Sequence, residues 1–279
     1  MLVSLKCVLD MAEKGNFCIP AFNVYNMETV MGVLDAAEEA KAPIIMQIYP
    51  RLMKEKAGYF LAPVVLAAAK KASVPICFHL DHGPSELETT RSLRYGATGI
   101  MLDGSTLSFE ENIALTKRVV ETCKFVDVGV EGELGHVGFT KDEDMDEFTT
   151  PEDAKKFVEE TGVDCLAVAV GTAHGRYSKP PKLDIDRIKQ IRKATNKTAL
   201  VLHGGSGVPD EEIKKAVKAG IRKMNFATDI CYAFLDTCLE ELQKPDRTVA
   251  IDNFMKKPIE AVKDFCITRI KLVGADNKA

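Results

Sequence analysis

Residues 77–83 read CFHLDHG, placing His79, Asp81 and His82 within four positions. The stretch begins as a buried strand, with Val74, Ile76, Phe78 and Leu80 apolar, and Gly83–Pro84 ends it. His174 in GTAHG and His203 in HGGSG supply two further imidazoles beside small residues. Neutral imidazole is the usual protein ligand for Zn²⁺, and a catalytic site keeps three ligands and one open position. A lone histidine at a strand end is ordinarily just hydrogen-bonded. Three of them, His82, His174 and His203, with acidic neighbours point to a metal. Asp81 adjoins a proposed ligand, so a nearby cation and partial burial would tune it as a general acid/base. The same carboxylate would equally serve to orient an imidazole, and the sequence leaves both roles open. Asp103 and Glu133 offer an alternative metal position, orientation of the ligands, or ion pairing.

A second kind of chemistry is written in residues 203–209, HGGSGVP. A glycine-rich turn opening a helix presents bare amides and a helix dipole, which suit an anion such as phosphate. Gly204, Gly205 and Ser206 form that turn, and Asn225, Phe226, Ala227 and Thr228 follow the next apolar run. Gly175, after His174, permits close backbone approach.

These residues need a scaffold that gathers them. Eight apolar runs of strand length recur: 19–24, 43–49, 74–80, 99–102, 126–130, 165–170, 199–202 and 221–226. Each is continuous rather than alternating, as expected of parallel strands covered on both faces. Helical patterns separate them. Residues 27–41 have helical apolar spacing, and Ser85-x-x-Glu88 and Ser108-x-x-Glu111 read as capping boxes. Thr150–Pro151 and Val208–Pro209 put proline in a first helical turn. The pattern predicts a single-domain (β/α)₈ TIM barrel over residues 1–279, with an extra helix at 4–14 covering its floor. In a barrel all strand C-termini meet at one mouth, and every histidine lies at or beyond such an end. A doubly wound sheet is disfavoured, because Asn23–Val24–Tyr25–Asn26 stands where a glycine-rich dinucleotide turn would be. Two long loops, 136–149 and 171–182, read as lids.

The totals restrict the function classes. The chain of 279 residues is 46% hydrophobic with a net charge of -4. Its pI is near 5.8 and its mean hydropathy is -0.05. That balance argues against a nucleic-acid or anionic-membrane surface. No run reaches the ~18 apolar residues of a membrane helix, and acidic residues at 10 and 13 speak against a secretory leader. The 8 cysteines form no C-x-x-C pair and read as reduced core residues of a cytoplasmic protein.

The chain resembles the class II, zinc-dependent fructose-1,6-bisphosphate and tagatose-1,6-bisphosphate aldolases. The resemblance rests on IPAFN at 19–23, HLDHG at 79–83, MLDGS at 101–105 and EGELG at 131–135. GTAHG at 171–175, HGGSG at 203–207 and NFAT at 225–228 continue it. It implies that His82, His174 and His203 hold one catalytic zinc and that Asp81 is the proton donor/acceptor at the carbon–carbon bond. It implies that Gly175, Lys179, Gly204–Ser206 and Asn225–Thr228 bind dihydroxyacetone phosphate, and that Asn23 orients the substrate. A monovalent cation, Na⁺ or K⁺, near the phosphate and a homodimer or homotetramer are further implications. The expected reaction is retro-aldol cleavage of a ketose 1,6-bisphosphate through an enediolate of dihydroxyacetone phosphate.

Four positions depart from the family pattern. Lys141 stands where a glutamate of the strand-five loop assists proton transfer at the donor, with Asp142 and Glu143 as its candidate replacements. Tyr49 stands where strand two commonly ends in Ser or Thr. Ala227 matches the tagatose-type enzymes rather than the Asp or Asn of the fructose type. No arginine for the distal phosphate occurs in 252–258, leaving Lys256 or Lys257. Other readings are an aldolase with a different acceptor, such as malonate semialdehyde, and a non-catalytic sugar-phosphate-binding relative. A metal-dependent hydrolase is disfavoured, because strand one lacks the H-x-H pair usual there.

Overall fold

The computed structural model describes residues 1–135, 148–175, 177, 179–196 and 198–279. Its strands are β1 (Ile19–Asn23), β2 (Ile44–Ile48), β3 (Ile76–Gly83), β4 (Gly99–Leu102), β5 (Gly129–Leu134), β6 (Cys165–Val168), β7 (Ala199–Leu202) and β8 (Ile221–Phe226). The helices are α1 (Leu5–Gly15), α2 (Met27–Glu39), α3 (Pro50–Lys54), α4 (Lys56–Lys71), α5 (Glu86–Arg94) and α6 (Phe109–Lys124). They continue with α7 (Pro151–Thr161), α8 (Ile185–Ala194), α9 (Asp210–Ala219), α10 (Thr228–Gln243) and α11 (Ile251–Leu272). The strands form a closed parallel barrel in chain order, sealed where Ala21 of β1 pairs with Asn225 of β8. This is the (β/α)₈ architecture the alternation of runs predicts.

Apolar residues fill the wall on both faces of the strands, which explains the continuous rather than alternating runs. The predicted floor helix is α1. Ser4 caps it by accepting from the Cys7 amide, and Leu5, Val8, Leu9 and Ala12 are buried beneath the barrel. Among helix starts, Ser108 and Glu111 make the full reciprocal capping box. Ser85 caps α5 through the Leu87 amide instead, and its hydroxyl donates to Glu88. Thr150 caps α7 with Pro151 in the first turn, whereas Pro209 sits at the N-cap of α9.

One strand departs from expectation in a way that matters for the site. The sequence pattern starts strand five at Val126, but β5 begins at Gly129. Phe125 and Val126 are 91% and 56% exposed, and Asp127 turns the chain with φ 54. The apolar pair therefore ends the α6 turn instead of entering the wall. The shift moves Glu131 and Glu133 from the strand tip into the barrel, where both are buried. The predicted lid 136–149 falls almost wholly outside the described residues, and Lys141, Asp142 and Glu143 fall there with it. Five cysteines are buried and none is paired. Among the described residues no helix is long and apolar enough to cross a membrane.

Candidate active site

Asp81 is the most tightly held polar group at the mouth. It is 4% exposed and accepts from two amides, Asn23 Nδ2 at 2.8 Å and Asn225 Nδ2 at 3.1 Å. Each amide is fixed from behind. Gln47 Nε2 donates to Asn23 Oδ1 at 2.8 Å, and Lys223 Nζ donates to Asn225 Oδ1 at 2.6 Å. Since both asparagine oxygens are occupied, each NH₂ must face Asp81.

His82 is the next residue along β3, and a regular strand would point it to the opposite face. Instead the β3–β4 register shifts between Leu80 and Gly83, and His82 adopts φ 46. Its amide donates to Met101 Sδ. This bulge turns Asp81 and His82 into one cavity of about 460 Å³.

The three predicted ligands meet there. His82 lies 4.9 Å from His174 and 4.6 Å from His203 between ring centroids, and one nitrogen from each falls within 4.8 Å of the others. Carboxylates set the tautomers of two of them. His82 Nδ1 donates to Asp103 Oδ2 at 2.7 Å, and His203 Nε2 donates to Glu131 Oε1 at 2.8 Å. That leaves His82 Nε2 and His203 Nδ1 as facing lone pairs 2.9 Å apart. At this separation the two nitrogens share one proton, carried by His82, or turn both lone pairs to one metal ion lying off the line between them. A second donor set, His82, Asp103 and Glu133, shares one imidazole with the first. Glu133 Oε2 lies 3.6 Å from His82 Nδ1 and 3.7 Å from His203 Nδ1.

The charges favour a divalent cation. Asp81, Asp103, Glu131 and Glu133 surround the imidazoles, opposed from within the barrel by the ammonium of Lys223. Burial alone would push the His82 imidazole down, but Asp81, the Asp103 hydrogen bond and Glu133 outweigh it and raise it to about 10. Burial and the neighbouring His82 and Lys223 charges hold His203 well below the ordinary range, keeping it neutral as a ligand must be. Chemistry and spacing of the donors thus fit a metal such as zinc.

Asp103 and Glu131 orient the imidazoles, and Asp81 hydrogen-bonds to neither, lying 3.9 Å from His82 Nε2. Orientation of the imidazoles thus falls to Asp103 and Glu131 rather than to Asp81.

At the glycine-rich 203–207 turn, Gly204 takes φ +65, and a Cβ there would meet the Ala173 carbonyl oxygen at 2.4 Å. Only glycine lets this turn approach the loop bearing His174. Gly175, Gly204, Ser206, Ala227 and Thr228 line the cavity. Gly205 lies behind them, its amide on the Asn225 carbonyl. Phe226 points into the core, 5.9 Å from Phe22, so its side chain packs the wall. Lys179 is exposed and does not line the cavity. Lys256 and Lys257, exposed on α11, bond to Asn253 and Glu260 and do not line it either.

Sequence reasoning missed three residues. Lys223 is fully buried and pairs with Glu131 at 2.9 Å. The signal was a lysine inside an apolar strand, which demands a buried counter-charge. Gln47 gave the same kind of signal on β2. Tyr177 ties the His174 loop to the β7 turn, its hydroxyl lying 2.8 Å from the Ala173 carbonyl and 3.0 Å from that of Gly204; burial raises it to about 12.

The model of the fructose-bisphosphate aldolase class-II family matches residues 3–278. The chain belongs to this family. Among solved structures, the YdjI aldolase of Escherichia coli K12 is 36% identical, with all of both chains covered and a TM-score of 0.90. Fructose-bisphosphate aldolase from Campylobacter jejuni is 25% identical over 100% of this chain and 97% of that one, with a TM-score of 0.81. Against the expectations for a class II aldolase, Tyr49 does reach the mouth, its ring 6.1 Å from His82, and Ala227 does line it.

Proposed function

We propose that this protein is a zinc-dependent aldolase that cleaves and forms a ketose 1,6-bisphosphate of the tagatose or fructose type. The observation that carries this reading is Asp81 clamped by two amides beside three converging imidazoles. His82, His174 and His203 would hold the cation. When bound, it supplies Lewis-acid stabilisation for the negative charge that cleavage leaves beside a ketone.

The protein's own groups do the rest. Asp81 accepts the C4 hydroxyl proton as the C3–C4 bond breaks, so C4 leaves as an aldehyde and the bonding electrons stay on the donor fragment. In condensation Asp81 returns that proton to the new hydroxyl. Asn23 and Asn225 keep the carboxylate aimed while it changes charge. The amides of Gly204 and Ser206, with Gly175 and Thr228, hold the donor phosphate, and this remote binding orients the reacting carbons. A Na⁺ or K⁺ ion beside that phosphate, a dimeric or tetrameric assembly and a cytoplasmic location complete the proposal.

The test is to incubate zinc-loaded protein with fructose 1,6-bisphosphate and with tagatose 1,6-bisphosphate and to assay triose phosphate. Cleavage of at least one is expected. The absence of both triose phosphate and solvent-deuterium exchange into dihydroxyacetone phosphate would overturn the reading.

A further inference from the structure

Arg51 follows β2 at the start of α3 and lines the same cavity as Asp81 and His82. It is the lone Lys or Arg among the described residues lining that cavity, facing the carboxylates of Asp81 and Asp103 in the same lining. Among the described residues it makes no ion pair or hydrogen bond, unlike Arg118, Arg187, Arg192, Arg222 and Arg269. Burial raises the Tyr49 and Tyr25 phenols, and the Arg51 charge pulls both back down, as a guanidinium over the mouth would.

A second cavity of about 500 Å³ opens beside the first and shares Tyr49, Arg51, His82 and Asp103 with it. None of the β7 or β8 residues lines this second space. The barrel order places β2 three strands round from β7, so Arg51 stands away from the glycine-rich turn proposed for the donor phosphate. Lys54 lines the second cavity too, but lies 3.9 Å from Glu88. The free planar guanidinium is the group suited to a two-point grip on phosphate or carboxylate.

We infer that Arg51 binds the anionic far end of the acceptor aldehyde and so selects acceptors that carry a terminal phosphate or carboxylate. The inference rests on the aldolase reading and deepens it. A substrate charged at both ends then lies with one anion on the Gly204–Ser206 turn, the other on Arg51, and the breaking bond between them at Asp81. The group that the C-terminal segment does not provide comes from the β2 side, next to the departure at Tyr49.

The test compares wild type, Arg51→Ala and Arg51→Lys, all zinc-loaded, in two assays. Deuterium exchange into dihydroxyacetone phosphate reads the donor half alone. Condensation with glyceraldehyde 3-phosphate, malonate semialdehyde and neutral glyceraldehyde reads the acceptor half. Arg51→Ala is expected to lower kcat/KM roughly 10- to 100-fold for one anionic acceptor. Neutral glyceraldehyde and the exchange rate should stay within about threefold, with Arg51→Lys in between. Whichever anion shows the larger loss identifies the terminus as phosphate or carboxylate. Equal losses for charged and neutral acceptors overturn the inference, as does a raised KM for dihydroxyacetone phosphate in exchange. Absence of both exchange and condensation in the wild type instead defeats the aldolase reading, and this inference with it.

Discussion

The two amides that grip Asp81 look symmetric from the mouth but are built differently behind it. On the β1–β2 side, Asn23 is backed by neutral Gln47, a chain of amide hydrogen bonds that ends there. On the β8 side, Asn225 is backed by Lys223, whose ammonium also pairs with Glu131, and Glu131 in turn fixes His203. The β8 arm therefore links Asp81 to His203 through a buried charge. The β1–β2 arm only aims the carboxylate. Burial disfavours the Lys223 cation, yet Glu131 and Asp81 outweigh it and hold the group charged. The difference is one between positioning by geometry and positioning by electrostatics.

The largest expected effect comes from removing what both arms hold. Asp81→Asn should lower kcat by about 10²- to 10⁴-fold. Because Asp81 hydrogen-bonds to no imidazole, the variant should keep its zinc. Loss of bound metal in elemental analysis would show that Asp81 belongs to the ligand framework.

The arms themselves should separate in a denaturant titration. Lys223→Met strands Glu131 without its counter-charge and should cost about 3–5 kcal/mol of unfolding free energy. Gln47→Leu leaves one buried amide oxygen unpaired and should cost about 1–3 kcal/mol. Equal costs would erase the distinction between a charged and a neutral arm.

The smallest effect sharpens the electrostatic side. His79 is fully buried above the same Glu131, at 3.4 Å. Burial, then the Lys223 charge, lower it from 6.5 to about 3. Between those values the unfolded chain binds a proton that the folded chain refuses. Its contribution to stability is therefore complete above pH 6.5 and falls as the pH drops toward 3. His79→Gln should flatten that part of the stability–pH curve, measured as the difference from wild type. An unchanged slope would mean that other groups dominate acid unfolding.

Much of this molecule is legible in its sequence, for identifiable reasons. Continuous apolar runs alternating with helical patterns give a barrel, because parallel strands are buried on both faces. Imidazoles at the ends of such runs fall at one mouth by topology, so His82, His174 and His203 needed no coordinates to be grouped. Glu131 and Glu133 were misplaced at a strand tip, because Phe125 and Val126 resemble strand residues and only packing shows that they are left in solvent.

Sequence alone determined the fold class and singled out His82, His174, His203 and the glycine-rich 203–207 turn as residues of one mouth, because each is encoded locally by periodicity, residue type or glycine. Only the tertiary structure decided that Asp103 and Glu131 hydrogen-bond the imidazoles while Asp81 is held by two amides, and that Arg51 has no ion pair among the described residues at the mouth. Those facts depend on which side chains from distant strands end within hydrogen-bonding distance. No local pattern records that, since a bulge at His82 or a three-residue shift of β5 rearranges every partner.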